Sequence, residues 1–103
     1  LAPSVVAYLP EWRYDGCNFD DLASVATHIL LFSLEPGGDG EVLALDRLPS
    51  PTVLREAREA SSRHGARLMV CFGGNGRSAG FAVMSTREAS RARFVHNVVS
   101  LID

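Results

Sequence analysis

The sequence predicts an α/β fold with parallel strands, because short apolar runs alternate with helical patterns along the chain. The runs span residues 4–9, 27–34 and 67–72 and are nearly continuous in apolar residues. Such runs are typical of strands buried on both faces of a parallel sheet. A helical pattern follows each run, which gives the order β-α-β-α-β-α. Right-handed crossovers between parallel strands are the economical way to join these units.

Turn-forming residues close each predicted strand. Pro10 ends the first, Glu35-Pro36-Gly37-Gly38 ends the second, and Gly73-Gly74 ends the third. Three such units can begin an open doubly wound sheet or form part of a closed barrel, and periodicity does not choose between them. The choice therefore depends on motifs at the strand ends.

The first two predicted helices carry capping and termination signals. Asp20 and Asp21 precede the apolar residues of a short helix that ends near Ala26. Ser50 and Pro51 then predict the start of a longer helix whose apolar residues fall on one face, and Gly65 is expected to stop it. These apolar residues are Val53, Leu54, Ala57 and Ala60.

The third predicted helix begins at a capping box, Ser85-Thr86-Arg87-Glu88. Its apolar positions recur at intervals of three and four and predict a buried stripe, which consists of Ala92, Val95, Val99 and Ile102. Because the capping box comes after the glycine-rich stretch 73–80, no helix is expected to begin within that stretch.

Composition excludes several classes of protein. The 103 residues are 47% apolar and carry a formal net charge of -2 with acids and bases interspersed, so neither nucleic acid nor an anionic membrane surface is an expected partner. No apolar run is long enough to span a bilayer. The start at Leu1, without an initiator Met, indicates a processed or excised piece. Cys17 and Cys71 are expected to be free thiols rather than a disulfide, and they do not reveal the compartment.

The sequence offers little support for a metal site, a catalytic nucleophile or a phosphate-binding loop formed by this chain alone. His28, His64 and His96 are scattered over different elements, so no metal site is expected. Ser33 and Ser78 lack the G-x-S-x-G context of a nucleophile. The glycine-rich stretch 73–80 fits a P-loop poorly and fits only the looser dinucleotide-binding form that ends in Ala.

Motifs at the strand ends follow one another in an informative order. The first strand ends Val5-Val6-Ala7-Tyr8-Leu9-Pro10-Glu11-Trp12, the second opens Thr27-His28-Ile29, and the third ends Cys71-Phe72-Gly73-Gly74, with Phe81, Met84 and Arg93-Phe94-Val95 downstream. Together these residues resemble the amino-terminal portion of glycoside hydrolase family 18, which shows Y-x-x-x-W, T-H-I, S-x-G-G, F-x-x-M and R-x-x-F-V. The chain departs from that pattern where Cys71 replaces Ser, Asn75 replaces a frequent Trp, and Ser33 stands where an aromatic is common.

The resemblance implies that residues 1–103 are an amino-terminal fragment, the first three β/α units of a (β/α)₈ TIM barrel. Its implied partners are chitin or N-acetylglucosamine oligosaccharides and the remainder of the barrel, and it implies no cofactor. The parent is expected to hydrolyse β-1,4 linkages with retention: a Glu protonates the leaving oxygen while the substrate's 2-acetamido group attacks the anomeric carbon. A secreted or extracellular location is also implied.

The residue that would act as the acid is missing from this sequence. In the family it ends a fourth-strand motif, D-x-x-D-x-D-x-E, and none of the six Glu residues here follows such spaced aspartates: Glu11, Glu35, Glu41, Glu56, Glu59 and Glu88. Asp103 stands a few residues before the position where the motif would begin. The chain alone is therefore predicted to be inactive, and whether the parent is an enzyme stays open.

Four residues are predicted to bind substrate. Tyr8 and Trp12 would stack on sugar or hydrogen bond to it, although a core position for Tyr8 and packing under the loop for Trp12 are the alternatives. Gly73 and Gly74 would allow close backbone approach to substrate or, more ordinarily, to a neighbouring strand. The carboxylates expected in loops on the same side, Glu11, Glu35 and Asp39, are ordinarily solvated.

Two other functions remain open from the sequence. One is a lectin-like barrel that binds chitin without catalysis because its acid is replaced. The other is a small nucleotide-binding α/β domain that uses the glycine-rich stretch 73–80.

Overall fold

The computed structural model of the chain describes residues 3–102; Leu1 and Asp103, which enter the sequence analysis, lie outside the described residues. The strands are β1 (Val6–Pro10), β2 (His28–Pro36), β3 (Val42–Leu43) and β4 (Arg67–Phe72). The helices are α1 (Phe19–Val25), α2 (Pro51–His64), α3 (Ala79–Met84) and α4 (Glu88–Ile102), and short 3₁₀ helices span Glu11–Arg13 and Leu45–Arg47. The predicted strands and helices are all present, and β3 and α3 are additional.

The described chain forms two compact units. The first consists of residues 3–32 and 46–71, and the second of residues 33–45 and 72–102. The first unit contains β1, α1, α2 and most of β2 and β4. The second contains the end of β2 together with β3, α3 and α4.

The first unit has a parallel strand pair backed by helices. β1 runs parallel to β2, in a register from Val6 opposite His28 to Pro10 opposite Phe32, and β4 also pairs with β2. Alternate strand residues are buried against the helices in a small core, which consists of Leu9, Ile29, Leu31, Phe19, Ala23, Ala57 and Ala60, with Tyr14 and Ala26. The parallel pairing predicted from the apolar runs is thus confirmed for β1 and β2.

The prediction that every strand is buried on both faces is wrong for β1 and β4. Tyr8 is 63% exposed and Met69 is 45% exposed, although they alternate with Leu9 and Leu68, which pack in the core. The physical reason is that α1 and α2 cover one face of these strands. The opposite face of the first unit is therefore apolar and open to solvent.

The helix ends of the first unit can be compared with the predicted capping residues. α1 begins at Phe19, before the two aspartates predicted to cap it, because the side chain of Asn18 accepts a hydrogen bond from the Asp21 N–H at 3.1 Å. In α2 the prediction is confirmed. Ser50 Oγ accepts from the Val53 N–H at 3.3 Å, and Gly65 ends the helix with a φ of 70°.

The second unit contains a hairpin that the sequence pattern did not reveal. Glu35 pairs with Leu43 and Pro36 with Val42 in antiparallel register. Gly40 closes the turn with a hydrogen bond from its N–H to the Gly37 carbonyl at 3.0 Å. A strand of two residues is too short to show a period of two, which explains why β3 was not predicted.

The expectation that no helix begins within the stretch 73–80 is wrong, because α3 begins at Ala79. Gly80 permits this start, since a Cβ there would overlap the carbonyl oxygen of Pro36. The predicted capping box is also wrong. Ser85 ends α3 with a hydrogen bond from its N–H to the Phe81 carbonyl at 2.9 Å, and α4 begins only at Glu88.

The prediction that Ala92, Val95, Val99 and Ile102 form the buried side of α4 is wrong. Val95 is 61% exposed and Val99 is 52% exposed; Ala92 and Ile102 are exposed as well. The helix instead turns Phe94 inward, where its ring meets those of Phe72 and Phe81 at centroid distances of 5.3 and 6.4 Å. Aromatic packing thus decides which side of α4 is covered.

Every helix within residues 3–102 falls short of the length and apolar character needed to cross a membrane.

Candidate functional site

Tyr8 lies near the end of β1 with its ring exposed. Its ring meets Phe32 edge to face, with centroids 6.1 Å apart and planes at 83°. In the parallel register Tyr8 is opposite Leu30, so Phe32 is its diagonal neighbour on the same face of the sheet. Phe32 therefore contacts one side of the Tyr8 ring, and the other side is exposed to solvent.

Trp12 lies in the 3₁₀ helix Glu11–Arg13, directly after β1, and is 68% exposed. The N–H of Tyr14 donates to the Glu11 carbonyl at 3.4 Å, and Tyr14 itself is buried in the core of the first unit. The turn that carries Trp12 is therefore anchored to the core at its carboxyl end, through Tyr14. Tyr8 and Trp12 are both exposed in the first unit, and a role in binding remains a prediction.

A groove of about 450 Å³ lies beside the end of β1. Tyr8 lines it on the strand side, while Arg13, Asp15, Gly16 and Cys17 line it from the loop. Burial raises the pKa of the Cys17 thiol, which favours its protonated form at neutral pH. The sequence analysis did not identify this groove, because its residues form no motif.

Gly73 and Gly74, which belong to the second unit, shape the loop after β4. Gly73 has a φ of 95° and donates its N–H to the Leu34 carbonyl at 2.8 Å. A Cβ at Gly73 would lie 2.8 Å from Ser78 Oγ. The Gly74 N–H donates to Ser78 Oγ at 3.0 Å, and that hydroxyl donates to the Gly74 carbonyl. These contacts give both glycines a structural use, and their role in substrate binding stays a prediction.

Arg77 is a residue that the sequence analysis overlooked. Its Nη1 donates to Ser33 Oγ at 3.1 Å, and Ser33 is only 2% exposed. Ser33 therefore holds the loop after β4 and does not offer its hydroxyl to solvent. An arginine inside a glycine-rich loop that follows a strand is the signal that would have pointed to this contact.

Two aspartates, Asp39 and Asp20, make contacts that stabilise the structure. Asp39 Oδ1 accepts from the Glu41 N–H at 3.1 Å, and its other oxygen lies 3.7 Å from Arg93. Asp20 joins α1 to α2, because its carboxylate accepts two hydrogen bonds from Arg63 Nη2 at 2.9 and 3.0 Å. These bonds lower the pKa of the Asp20 carboxyl.

Neither cysteine nor metal chemistry is assembled in the described part of the chain. Neither Cys17 nor Cys71 forms a disulfide, and burial raises the pKa of the Cys71 thiol as it does for Cys17. Between residues 3 and 102, no three side chains of His, Cys, Asp or Glu come together as metal ligands would.

The four predicted substrate-binding residues divide between the two units. Tyr8 and Trp12 lie within four residues of each other in the first unit, at the end of β1. Gly73 and Gly74 lie at the end of β4 in the second unit.

The fold so defined is mixed α/β, with parallel and antiparallel pairing on one central strand. It is similar to a crystal structure of a Group IV chitinase from Ostrinia furnacalis in complex with allosamidin, with a TM-score of 0.67 and 20% sequence identity. The likeness covers 98% of this chain and 30% of that chain. It shows a chitinase-like fold. No family model matches the sequence, and no curated protein matches it.

Proposed function

We propose that residues 1–103 are part of a chitinase-like catalytic barrel whose parent binds chitin and hydrolyses its β-1,4 linkages. The observation that supports this most directly is the pair of exposed aromatic side chains, Tyr8 and Trp12, at the end of β1 in a chitinase-like fold. Leaving a large apolar side chain in water forfeits about 1.5–3 kcal/mol of burial. Two such side chains four residues apart are well explained by a ligand that covers them.

A sugar suits these two side chains. An aromatic ring packs against the apolar C–H face of a pyranose, and the Tyr8 hydroxyl and the Trp12 indole N–H can hydrogen bond to its polar rim. The edge-to-face contact with Phe32 fixes the Tyr8 ring before any ligand arrives. Trp12 projects from a short, closed turn. The Tyr8 ring therefore loses little conformational freedom on binding.

The remainder of the barrel is the second partner in this proposal. The chain spans 30% of the length of the chitinase that it resembles. Val6 and Met69, on the open apolar face of the first unit, need covering, because parallel sheets ordinarily bury both faces. Further β/α units that close a barrel would bury these two side chains in the barrel interior and leave Tyr8, nearer the end of β1, beside the cleft.

The proposed mechanism is substrate-assisted retention, with its acid outside this chain. A Glu with a raised pKa would protonate the leaving oxygen, and the substrate's 2-acetamido oxygen would attack the anomeric carbon and later be displaced by water. This chain would contribute binding through Tyr8 and Trp12 and loop shape through Gly73 and Gly74. Alone it would not cleave the bond.

The test compares two proteins: residues 1–103, and the polypeptide extended through the remaining β/α units. A fluorogenic chitobioside is offered to both, and to an extended form in which the Glu ending the fourth-strand motif is changed to Gln. We expect turnover only by the extended protein with its Glu intact. Turnover by the short chain, surviving controls for contaminants, would contradict the proposed place of the acid. An extended protein that binds chitin without cleaving it would favour the lectin-like alternative.

A further inference from the structure

The tip of the loop after β4 carries an asparagine followed by a glycine, Asn75-Gly76. The two residues form the centre of a turn, which the Arg77 N–H closes by donating to the Gly74 carbonyl at 3.0 Å. Gly76 has a φ of 71°, as the third residue of a type II turn does. Asn75 and Gly76 are both exposed, and a Cβ at Gly76 would meet nothing within 4 Å. Further strands that pair beside β4 would leave this loop on the surface, because it follows the carboxyl end of the strand.

The chain itself does not engage the two reactive groups of this dipeptide. Within residues 3–102, neither the Asn75 side-chain amide nor the Gly76 N–H has a hydrogen-bond partner. Because glycine lacks a Cβ, the Gly76 nitrogen can approach the side-chain carbonyl carbon of Asn75 without the clash that a larger residue would cause. An electrophilic carbon and an adjacent nucleophilic nitrogen are therefore both available for reaction.

The other two asparagines of the chain are held by hydrogen bonds and precede larger residues. Asn18 caps α1, where its Oδ1 accepts from a main-chain N–H at 3.1 Å, and Phe19 follows it. Asn97 lies within α4, where its Nδ2 donates to the Gly40 carbonyl at 3.0 Å, and Val98 follows it. Reaction at either residue would require a hydrogen bond to break and a crowded nitrogen to attack. These two residues are therefore internal controls for Asn75.

We propose that Asn75 is a site of spontaneous deamidation. The Gly76 nitrogen attacks the side-chain carbonyl carbon of Asn75 and forms a C–N bond that closes a succinimide ring. The amide nitrogen leaves as ammonia, carrying the proton that the Gly76 nitrogen loses. Water then opens the ring at one or the other carbonyl, which gives aspartate or isoaspartate. Water is the only co-reactant, and no electrons are transferred.

The reaction changes the tip of the loop and leaves its stem in place. It adds a negative charge, and the isoaspartate product also inserts an extra carbon into the main chain. The stem is held by other residues: the Gly73 N–H donates to the Leu34 carbonyl at 2.8 Å, and Arg77 Nη1 donates to Ser33 Oγ at 3.1 Å. We therefore expect the reacted protein to keep its fold. The proposal is independent of the proposed function, because the reaction needs no glycan.

The test follows the three asparagines side by side in the extended protein. The protein is incubated at mildly alkaline pH and digested at acidic pH, and the peptides are quantified at intervals by mass spectrometry. Deamidation is measured as the mass increase from the exchange of an amide NH₂ for OH. We expect Asn75 to react at least about tenfold faster than Asn18 or Asn97, with both aspartate and isoaspartate as products. The melting temperature should stay the same as position 75 reacts.

Two variants test the mechanism of attack. Gly76→Ala places a Cβ beside the attacking nitrogen, and Asn75→Gln requires a larger ring to close, so each should slow ammonia loss at position 75 by at least about tenfold. Because Gly76→Ala also strains a positive φ, Asn75→Gln provides the test that leaves the backbone unstrained. Asn18→Asp keeps an N-cap residue on α1 and should leave the rate at Asn75 unchanged.

The outcomes distinguish this proposal from the proposed function. Equal rates at Asn75, Asn18 and Asn97 would overturn the proposed site, and a rate at Asn75 that Gly76→Ala does not reduce would overturn attack by the Gly76 nitrogen. An extended protein that binds no chitooligosaccharide but deamidates at Asn75 would overturn the proposed function alone.

Discussion

At the scale of single residues, Tyr8 and Leu9 show how one strand carries two roles. Leu9 is buried against the helices, while Tyr8, its neighbour, points its ring to the opposite face and stays exposed. The period of two along a strand makes this division possible. A change at Tyr8 or Trp12 should therefore affect ligand binding more than folding.

We expect Trp12→Ala to lower kcat/KM for chitooligosaccharides by about tenfold in the extended protein, through loss of a stacking surface. Tyr8→Phe should lower it by about threefold to tenfold, the value of one hydrogen bond. The free energy of unfolding should change by less than about 1 kcal/mol in both variants. Trp12→Phe, which keeps a ring, is the matched control and should retain most activity.

Unchanged kinetics in Tyr8→Phe would limit that residue to a packing role for its ring. A large loss of stability in Trp12→Ala would contradict the exposed position of the indole.

Asp20 makes a residue-scale prediction about pH. Hydrogen bonds from Arg63 hold the pKa of the Asp20 carboxyl below its ordinary value. Because the folded pKa is depressed, the stabilisation is present above the unfolded value of about 3.9 and is lost as the pH falls through the folded value. Asp20→Asn should therefore lower the melting temperature slightly at neutral pH and reduce its decline on acidification. Thermal melts from pH 7 to pH 2.5 measure both effects.

Arg63→Gln should reproduce most of the Asp20→Asn profile, since both changes remove the Arg63 contact, while His64 Nε2 keeps its contact with Asp20 Oδ1 at 3.2 Å in Arg63→Gln. Asp46→Asn, at an exposed acid elsewhere in the first unit, should leave the acid decline as it is in the unchanged chain. Equal profiles for Asp20→Asn and Asp46→Asn would show that the contact does not stabilise the fold.

At the scale of elements, α4 shows that an apolar stripe need not be the buried one. Two sets of apolar residues run along this helix, and the one that includes Phe94 faces inward because its ring fits between Phe72 and Phe81. The neighbouring hairpin adds a polar contact, from Asn97 Nδ2 to the Gly40 carbonyl at 3.0 Å. The outward set, which includes Val95 and Val99, is left in water.

We expect Phe94→Ala to lower the free energy of unfolding of the 103-residue chain by about 2–3 kcal/mol, somewhat less than for a fully buried Phe. Val99→Ala should change it by less than about 0.5 kcal/mol. Urea unfolding followed by circular dichroism at low protein concentration measures both. A large loss in Val99→Ala alone would show that the stripe predicted from the sequence is the buried one.

At the scale of the whole molecule, the exposed apolar surfaces predict how the isolated chain behaves. In the first unit Val6, Tyr8 and Met69 lie open on the sheet, and in the second Val95 and Val99 lie open on α4. Such surfaces and unpaired strand edges favour association between copies.

The 103-residue chain should therefore form oligomers or aggregates in size-exclusion chromatography with light scattering, while the extended polypeptide should be monodisperse. Met69→Lys, which places a charge on the open face, should raise the solubility of the short chain, and Arg58→Lys is a neutral control. A short chain that stays monomeric at the concentration used for chromatography would contradict this prediction and favour a self-contained domain.

The sequence by itself determined the features that depend on local patterns. The apolar runs located β1, β2 and β4, and a Ser cap, a Pro and a terminal Gly fixed the limits of α2. These signals are read within one element, so no distant contact is needed to interpret them. The position of Tyr8 near the end of the first strand, and of Trp12 just after it, was predictable for the same reason.

Only the tertiary structure decided which surfaces are covered. The inward face of α4 depends on the rings of Phe72 and Phe81, the start of α3 depends on the close approach of Gly80 to Pro36, and the hydrogen bond to the buried Ser33 hydroxyl comes from Arg77. Each of these is a contact between segments far apart in sequence. A local pattern lists the apolar side chains, but the free energy of packing selects among them according to what lies opposite.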